Sequence, residues 1–264
     1  MILLPNGRRS EASSTTDIAL DRRRFLTRLG GLGSGLLLLG SRFGRAQSSC
    51  DSSLFGDGFE GLAAAPAGTC VLIPSETQGP YPLLSVLSNP GIVRQDITEG
   101  RPGVPLVQII RLVDINNGCA PIENAAVYIW HCDKDGYYSG YSQPGGNFTG
   151  QIFCRGVQYS DCNGEVAFLT MYPGWYSGRI THLHFQIYLN LAGTVTATSQ
   201  LAYPPAITTA VYNSPLYVAH GQNTSVSSFA NDNVFSDGVE NQLCVVSGDV
   251  DSGYTAELTV GVAL

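Results

Sequence analysis

The stretch FLTMYPGWYSGRITHLHFQIY, residues 168 to 188, decides how the rest of the chain is read. Within nine positions it places Tyr176, Arg179, His182 and His184, and this histidine pair is half of the four histidines in the chain. His182 and His184 alternate with Leu183, Phe185 and Ile187, the two-residue period of a β-strand, on which residues i and i+2 share a face. Both imidazoles then point into one space, while the three apolar side chains enter a core. Neutral imidazole is the commonest side-chain ligand for transition metals. The stretch therefore predicts half of a metal site carried on a strand.

Outward from it, strand signals recur with turns between them. LVQIIRLVD (106–114), AAVYIWHC (125–132), QIFCRGVQYS (151–160) and EVAFLTMY (165–172) come before the histidine strand, RITHLHFQIYL (179–189). GTVTATSQLAY (193–203), NQLCVVSGD (241–249) and YTAELTVGVAL (254–264) follow it. No segment has a helical period and none repeats. The expected fold is all-β, a single antiparallel β-sandwich with long loops and no helical domain. Charged residues make up only 13% of the 264, with 31 Gly, 14 Pro and more Tyr (13) than Phe (10), a composition that suits strands and loops.

The chain divides into a leader at 1–46, an extended lead-in at 47–75 and the sandwich domain at 76–264. DRRRFLTRLGGLGSGLLLLGSRFGRAQ has Arg22-Arg23 before a short Gly/Leu run and closes on Gly44-Arg45-Ala46, a small-x-small cleavage pattern. It resembles a twin-arginine export signal, and the expected destination is periplasmic or extracellular. The apolar run is too short and glycine-rich for a stable membrane anchor, so no membrane insertion is expected once the signal is removed. Eight of the arginines lie in residues 1–46, leaving six basic against eighteen acidic residues beyond, a net of −12. So acidic a body argues against nucleic acid as a partner. Seven cysteines suit an oxidising compartment and, being odd, leave at least one thiol unpaired. Cys154 with Cys162 is the expected local pair across a tight loop, with Cys50–Cys70 and Cys119–Cys244 as further expectations.

The second half of a metal site is sought in NAAVYIWHCDKDGYYSGY, where a strand runs through Trp130-His131-Cys132 into an acidic turn and Tyr137-Tyr138. Free tyrosine, with a pKa near 10, is a poor ligand for zinc or ferrous iron at neutral pH. Fe(III), a harder and more highly charged cation, lowers the pKa of an oxygen that it binds. Read together, W-H-C-D-K-D-G-Y-Y, F-C-R-G-x-Q, P-G-W-Y, G-R-x-x-H-x-H-F and T-S-Q resemble the intradiol ring-cleavage dioxygenases. The likeness is to the catalytic core of protocatechuate 3,4-dioxygenase and its compact secreted relatives, over about residues 70–205. Each motif is short; five in the family's order are specific.

The resemblance implies one mononuclear non-haem Fe(III) held by Tyr138, Tyr176, His182 and His184. The motif frame selects Tyr138 over Tyr137 and Tyr141. It also implies cleavage of a catechol-type ring with O2 to a cis,cis-muconate-type diacid. By analogy, Tyr176 leaves the metal to take a substrate proton, Arg179 stabilises charge developing on the substrate, and Gln200 and Tyr81 line the pocket. His131 and His220 are expected to be structural, Trp130 and Trp175 packing residues, and Cys132 a buried thiol. Two other readings stay open: an iron-free secreted binding module, and a copper or zinc enzyme built on the histidine pair. Which catechol is cleaved and whether the chain forms a homo-oligomer are open as well.

Overall fold

The computed structural model describes residues 70–264, so the leader at 1–46, Cys50 and most of the lead-in lie outside the described residues. Eleven strands follow in chain order: β1 (Pro105–Asp114), β2 (Ala120–Pro121), β3 (Ala126–Trp130), β4 (Ser142–Gln143), β5 (Gly146–Asn147), β6 (Arg155–Tyr159), β7 (Glu165–Met171), β8 (His182–Tyr188), β9 (Ala197–Ala202), β10 (Val245–Asp249) and β11 (Gly253–Val262). One sheet runs β10-β11-β1-β2 with β7 also paired to β1, the other runs β6-β3-β8-β9, and β4-β5 form a small hairpin. Leu106, Ile110 and Leu112 of β1, Phe168 of β7 and Val260 of β11 meet Val127 and Ile129 of β3 and Leu183, Phe185 and Ile187 of β8 in one core between the two sheets. The architecture is the expected all-β sandwich.

Two features differ from expectation. β1 and β11 pair in parallel, Leu106 opposite Tyr254 through Asp114 opposite Val262, so the first sheet is mixed. Parallel neighbours need a long crossover, and most of the domain lies between these two strands in the chain. A helix, α1 (Pro205–Tyr212), stands where a Pro/Asn-rich loop is expected. Pro205 occupies the first turn, where its fixed φ and missing N–H cost nothing, and Ala-Ile-Thr-Thr-Ala-Val-Tyr carries the helix on.

The second sheet is buried on both faces, and this places the site. β3 and β8 are buried at every residue. Their outward side chains, Tyr128 and Trp130 among them, join a second cluster with Val86, Ile92, Cys132 and Tyr138, with Tyr81 and Tyr176 packed against it. The loops after β3 and β7 and the segment before β1 roof this face, so His182 and His184 look into a lined space instead of solvent.

The cysteine pairing differs from the expected one. Cys70 pairs with Cys119, sulfurs 2.16 Å and Cα atoms 5.8 Å apart. Cys162 is also disulfide-bonded, while Cys132, Cys154 and Cys244 are buried free thiols. Cys154 cannot reach Cys162 because β6 runs extended between them at about 3.3 Å per residue, and a disulfide needs Cα atoms within about 7 Å. Cys119–Cys244 fails because Cys244 is in the core, its sulfur facing the Gln108 amide at 3.7 Å. Cys50–Cys70 fails because Cys70 is already taken.

Candidate active site

His182 and His184 leave β8 on its outer face, as period two requires. A carbonyl can only accept, so the 2.6 Å contact from His182 Nδ1 to the Ile180 carbonyl puts the proton on Nδ1. His182 Nε2 is therefore a lone pair. Facing it are His184 Nε2 at 3.1 Å, Tyr138 Oη at 3.3 Å and Tyr176 Oη at 3.4 Å. Trp130, opposite His184 in the β3–β8 register, stacks on its ring at 4.9 Å and 3° and fixes its plane.

The tyrosines arrive on two turns that are tied together. After β3, Asp133 is buried, and its Oδ1 accepts the N–H groups of Asp135 (3.0 Å) and Tyr137 (2.9 Å). Its other oxygen pairs with Arg101, whose guanidinium lies 3.9 Å from the centroid of the Phe153 ring. This turn sends Tyr138 inward, and Tyr137 packs on Phe148 instead, at 5.2 Å. The Asp133 carbonyl also accepts the N–H of Gly174 at 3.1 Å, which joins this turn to Pro-Gly-Trp-Tyr. A Cβ on Gly174 would lie 2.4 Å from the Lys134 carbonyl. On the far side, Trp175 Nε1 donates to the Gly221 carbonyl (2.9 Å) and His220 Nε2 to the Trp175 carbonyl (2.8 Å). His220 thus anchors the turn that carries Tyr176. His131 is structural too, its ring nitrogens 2.7 Å from the Cys132 carbonyl and 2.8 Å from Thr170 Oγ1.

Arg179 lies beside Tyr176. Its Nε donates to both oxygens of buried Asp232, at 2.9 and 3.2 Å, and its Nη2 to Gln200 Oε1 at 2.7 Å. Burial disfavours the Asp232 charge, but Arg179 and the N–H groups of Ile180 and Val234 outweigh it and hold the carboxyl below its ordinary pKa. Gln200 Nε2 reaches the Thr77 carbonyl at 2.9 Å. The segment that continues from Thr77 crosses the site: a Cβ on Gly79 would lie 3.1 Å from His184 Cε1, and Tyr81 stacks on Tyr138 at 4.7 Å. All seven residues singled out by motif are thus gathered at one place. Asp232 and Asp133 were not foreseen. Each shows in the sequence only as a turn-forming acid, and their partners are remote in the chain.

Without a cation this cluster is held neutral. Burial pushes Tyr138 well above the ordinary tyrosine value, with Tyr176 adding to it. Burial takes Tyr176 up to about 12, against the pull of the Arg179 charge. Burial lowers His182 to about 3, helped by Arg179, and lowers His184 well below its ordinary value, helped by His182.

One lone pair on His182 Nε2 cannot serve three neighbours at once, and a shared cation satisfies the arrangement. Donor atoms each about 2 Å from one ion stand about 3 Å apart, the spacing found here. Among the described residues no group of three or more His, Cys, Asp or Glu is placed to hold a metal; here half of the donors are phenols. Two imidazoles and two phenols suit a hard, highly charged ion.

No protein-family model and no curated protein matches the chain. Solved structures do. An intradiol ring-cleavage dioxygenase from Tetranychus urticae is 27% identical with a TM-score of 0.63, over 74% of this chain and 95% of that one. A dioxygenase named Tetur07g02040 matches with the same values. The dioxygenase domain of a carbohydrate-binding fusion protein from Streptomyces sp. SirexAA-E is 21% identical at a TM-score of 0.49, over 74% and 99%. The likeness to intradiol ring-cleavage dioxygenases is therefore one of structure as well as of motif.

Proposed function

We propose that this chain is an Fe(III)-dependent intradiol dioxygenase that opens a catechol-type ring with O2 to a cis,cis-muconate-type diacid. The observation that carries this is the convergence of Tyr138 Oη, Tyr176 Oη and His184 Nε2 within 3.1–3.4 Å of the His182 Nε2 lone pair. The structural likeness to a dioxygenase of that name supports the reaction class.

Tyr138, Tyr176, His182 and His184 would hold the ion. When bound, Fe(III) supplies the Lewis acidity that keeps phenols deprotonated and gives a bound catechol ring the electron density with which O2 reacts. The protein's residues do the rest. Tyr138, fully buried under Tyr81, has no room to move. Tyr176 is half-buried and sits on a turn. As a phenolate its oxygen is basic enough to take a proton from an incoming catechol, another phenol of ordinary pKa near 10. Arg179 beside it provides a fixed positive charge for the anion that develops, oriented by Asp232 and Gln200 in advance of the reaction.

The test is to load the purified protein with ferric iron, record its visible spectrum, and follow oxygen uptake with catechols. A red-brown phenolate band and ring-opened product are expected. Tyr176→Phe should weaken the band and slow turnover about a hundredfold or more, in line with loss of a positioned base. A colourless protein that fills with zinc or copper and consumes no oxygen would sink this reading. We also propose export through the leader. Cell fractionation that recovers the chain only in the cytoplasm, leader uncleaved, would refute that.

A further inference from the structure

We propose that the catechol accepted by this site carries no ionised carboxylate: its ring substituents are uncharged. This rests on the dioxygenase reading above and adds the substrate class. Every positive side chain in the described residues already has a partner.

There are six, Arg94, Arg101, Arg111, Arg155, Arg179 and Lys134, against fifteen acidic residues. Five of the six are in ion pairs: Arg94 with Glu99 (2.7 Å), Arg101 with Asp133, Arg111 with Glu165, Lys134 with Asp135 (2.7 Å) and Arg179 with Asp232 (2.9 Å). The sixth, Arg155, is fully buried, its N–H groups directed to Ser139 Oγ and carbonyl and to Tyr128 Oη at 2.9–3.0 Å. At the site itself, Arg179 already has a full counter-charge in Asp232 and a neutral acceptor in Gln200. A substrate carboxylate there would have to displace a buried partner held by two Arg179 contacts and three backbone N–H groups (Ile180, Val234 and Phe235).

The neighbours deepen the effect. Glu76, half-buried, begins the segment that crosses the site at Gly79, and accepts from the Gln242 amide at 3.2 Å. Burial raises the pKa of Glu76, as do Asp237 and Asp232, and Arg179 opposes them. Arg179 thus has Asp232 as its ion-pair partner and Glu76 in its field, which leaves it able to steady charge on the ring oxygens beside it but without a free charge for a second, peripheral carboxylate. On the other side of the ligand cluster Tyr81 stacks on Tyr138 at 4.7 Å, an aromatic surface that suits alkyl, alkoxy or ester groups but cannot solvate a charge.

The experiment uses the full ferric-loaded chain and oxygen uptake at neutral pH with three probes: a catechol with a ring carboxylate, its methyl ester, and an alkyl catechol. An ionised carboxylate withdraws ring electrons less than an ester does, and an alkyl group donates them, so the two neutral probes bracket the acid electronically and the acid stands apart chiefly by its charge. The ester should exceed the acid in kcat/KM by about tenfold or more, and Glu76→Gln should narrow the gap by lowering KM for the acid. An acid used as well as its ester, or a gap that Glu76→Gln leaves untouched, would overturn the charge argument. If none of the three is consumed or perturbs the visible band, the dioxygenase reading itself fails and this inference with it.

Discussion

His131 has no part in the proposed chemistry, yet with His182 and His184 it is one of three buried histidines that govern how the metal-free protein answers acid. Burial lowers its pKa from the ordinary 6.5 to about 4, so on acidification the unfolded chain takes up the proton first. The stability it contributes is complete above pH 6.5 and is lost as pH falls through the folded value, at up to about 1.4 kcal/mol per pH unit. Urea midpoints of the metal-free protein should therefore drop between neutral pH and pH 4, and His131→Asn should flatten the slope. An unaltered slope would acquit His131. Asp232 acts in the same direction but at lower pH: its depressed carboxyl pKa makes its contribution present at neutral pH and lost only in strong acid. Asp232→Ala leaves Arg179 buried and unpaired, and should cost about 3–5 kcal/mol, read as a shift in the unfolding midpoint. Much of the site at this scale is legible in the sequence, since H-x-H alternation puts two imidazoles on one face whatever surrounds them. Asp232 is not legible, because an acid 53 residues from its arginine carries no local sign of the pairing.

At the scale of the element, the site depends on two turns that meet. The Asp133 turn and the Pro-Gly-Trp-Tyr turn touch through the Gly174 N–H and the Asp133 carbonyl, so each holds the other's tyrosine in place. Gly174→Ala puts a methyl 2.4–2.6 Å from the Lys134 and Asp133 carbonyls and must push the turns apart. It should weaken ferric binding and shift the visible band while far-ultraviolet circular dichroism, which reports the sheets, is kept. A variant with the wild-type band would show that the two turns are not coupled. The strands themselves are readable from alternation to within a few residues. α1 escapes because two prolines in a row read as a loop, although a proline in a first helical turn is well tolerated. The parallel β1–β11 pair escapes because register between distant strands is set by which edges are left free.

Over the whole molecule, covalent linkage adds to a sandwich with few attractive charges. Cys70–Cys119 spans 49 residues of chain and ties the segment before the site to the turn after β1. Loop closure of that length is worth about 4 kcal/mol, and Cys70→Ala should lower the urea midpoint accordingly. If reductant lowers the wild-type midpoint no further than Cys162 alone explains, the bond is not closed in solution. The buried thiols of Cys132, Cys154 and Cys244 should resist alkylation until the chain unfolds, since burial raises all three pKa values. By itself the sequence determined the all-β class, the approximate places of the strands along the chain and the shared face of His182 and His184, because period-two patterning is a local property of the chain. Only the tertiary structure decided which cysteines pair, which acid holds Arg179, and that the outer face of the second sheet is roofed. Those depend on distances between residues far apart in sequence, which packing and backbone direction set and spacing along the chain does not.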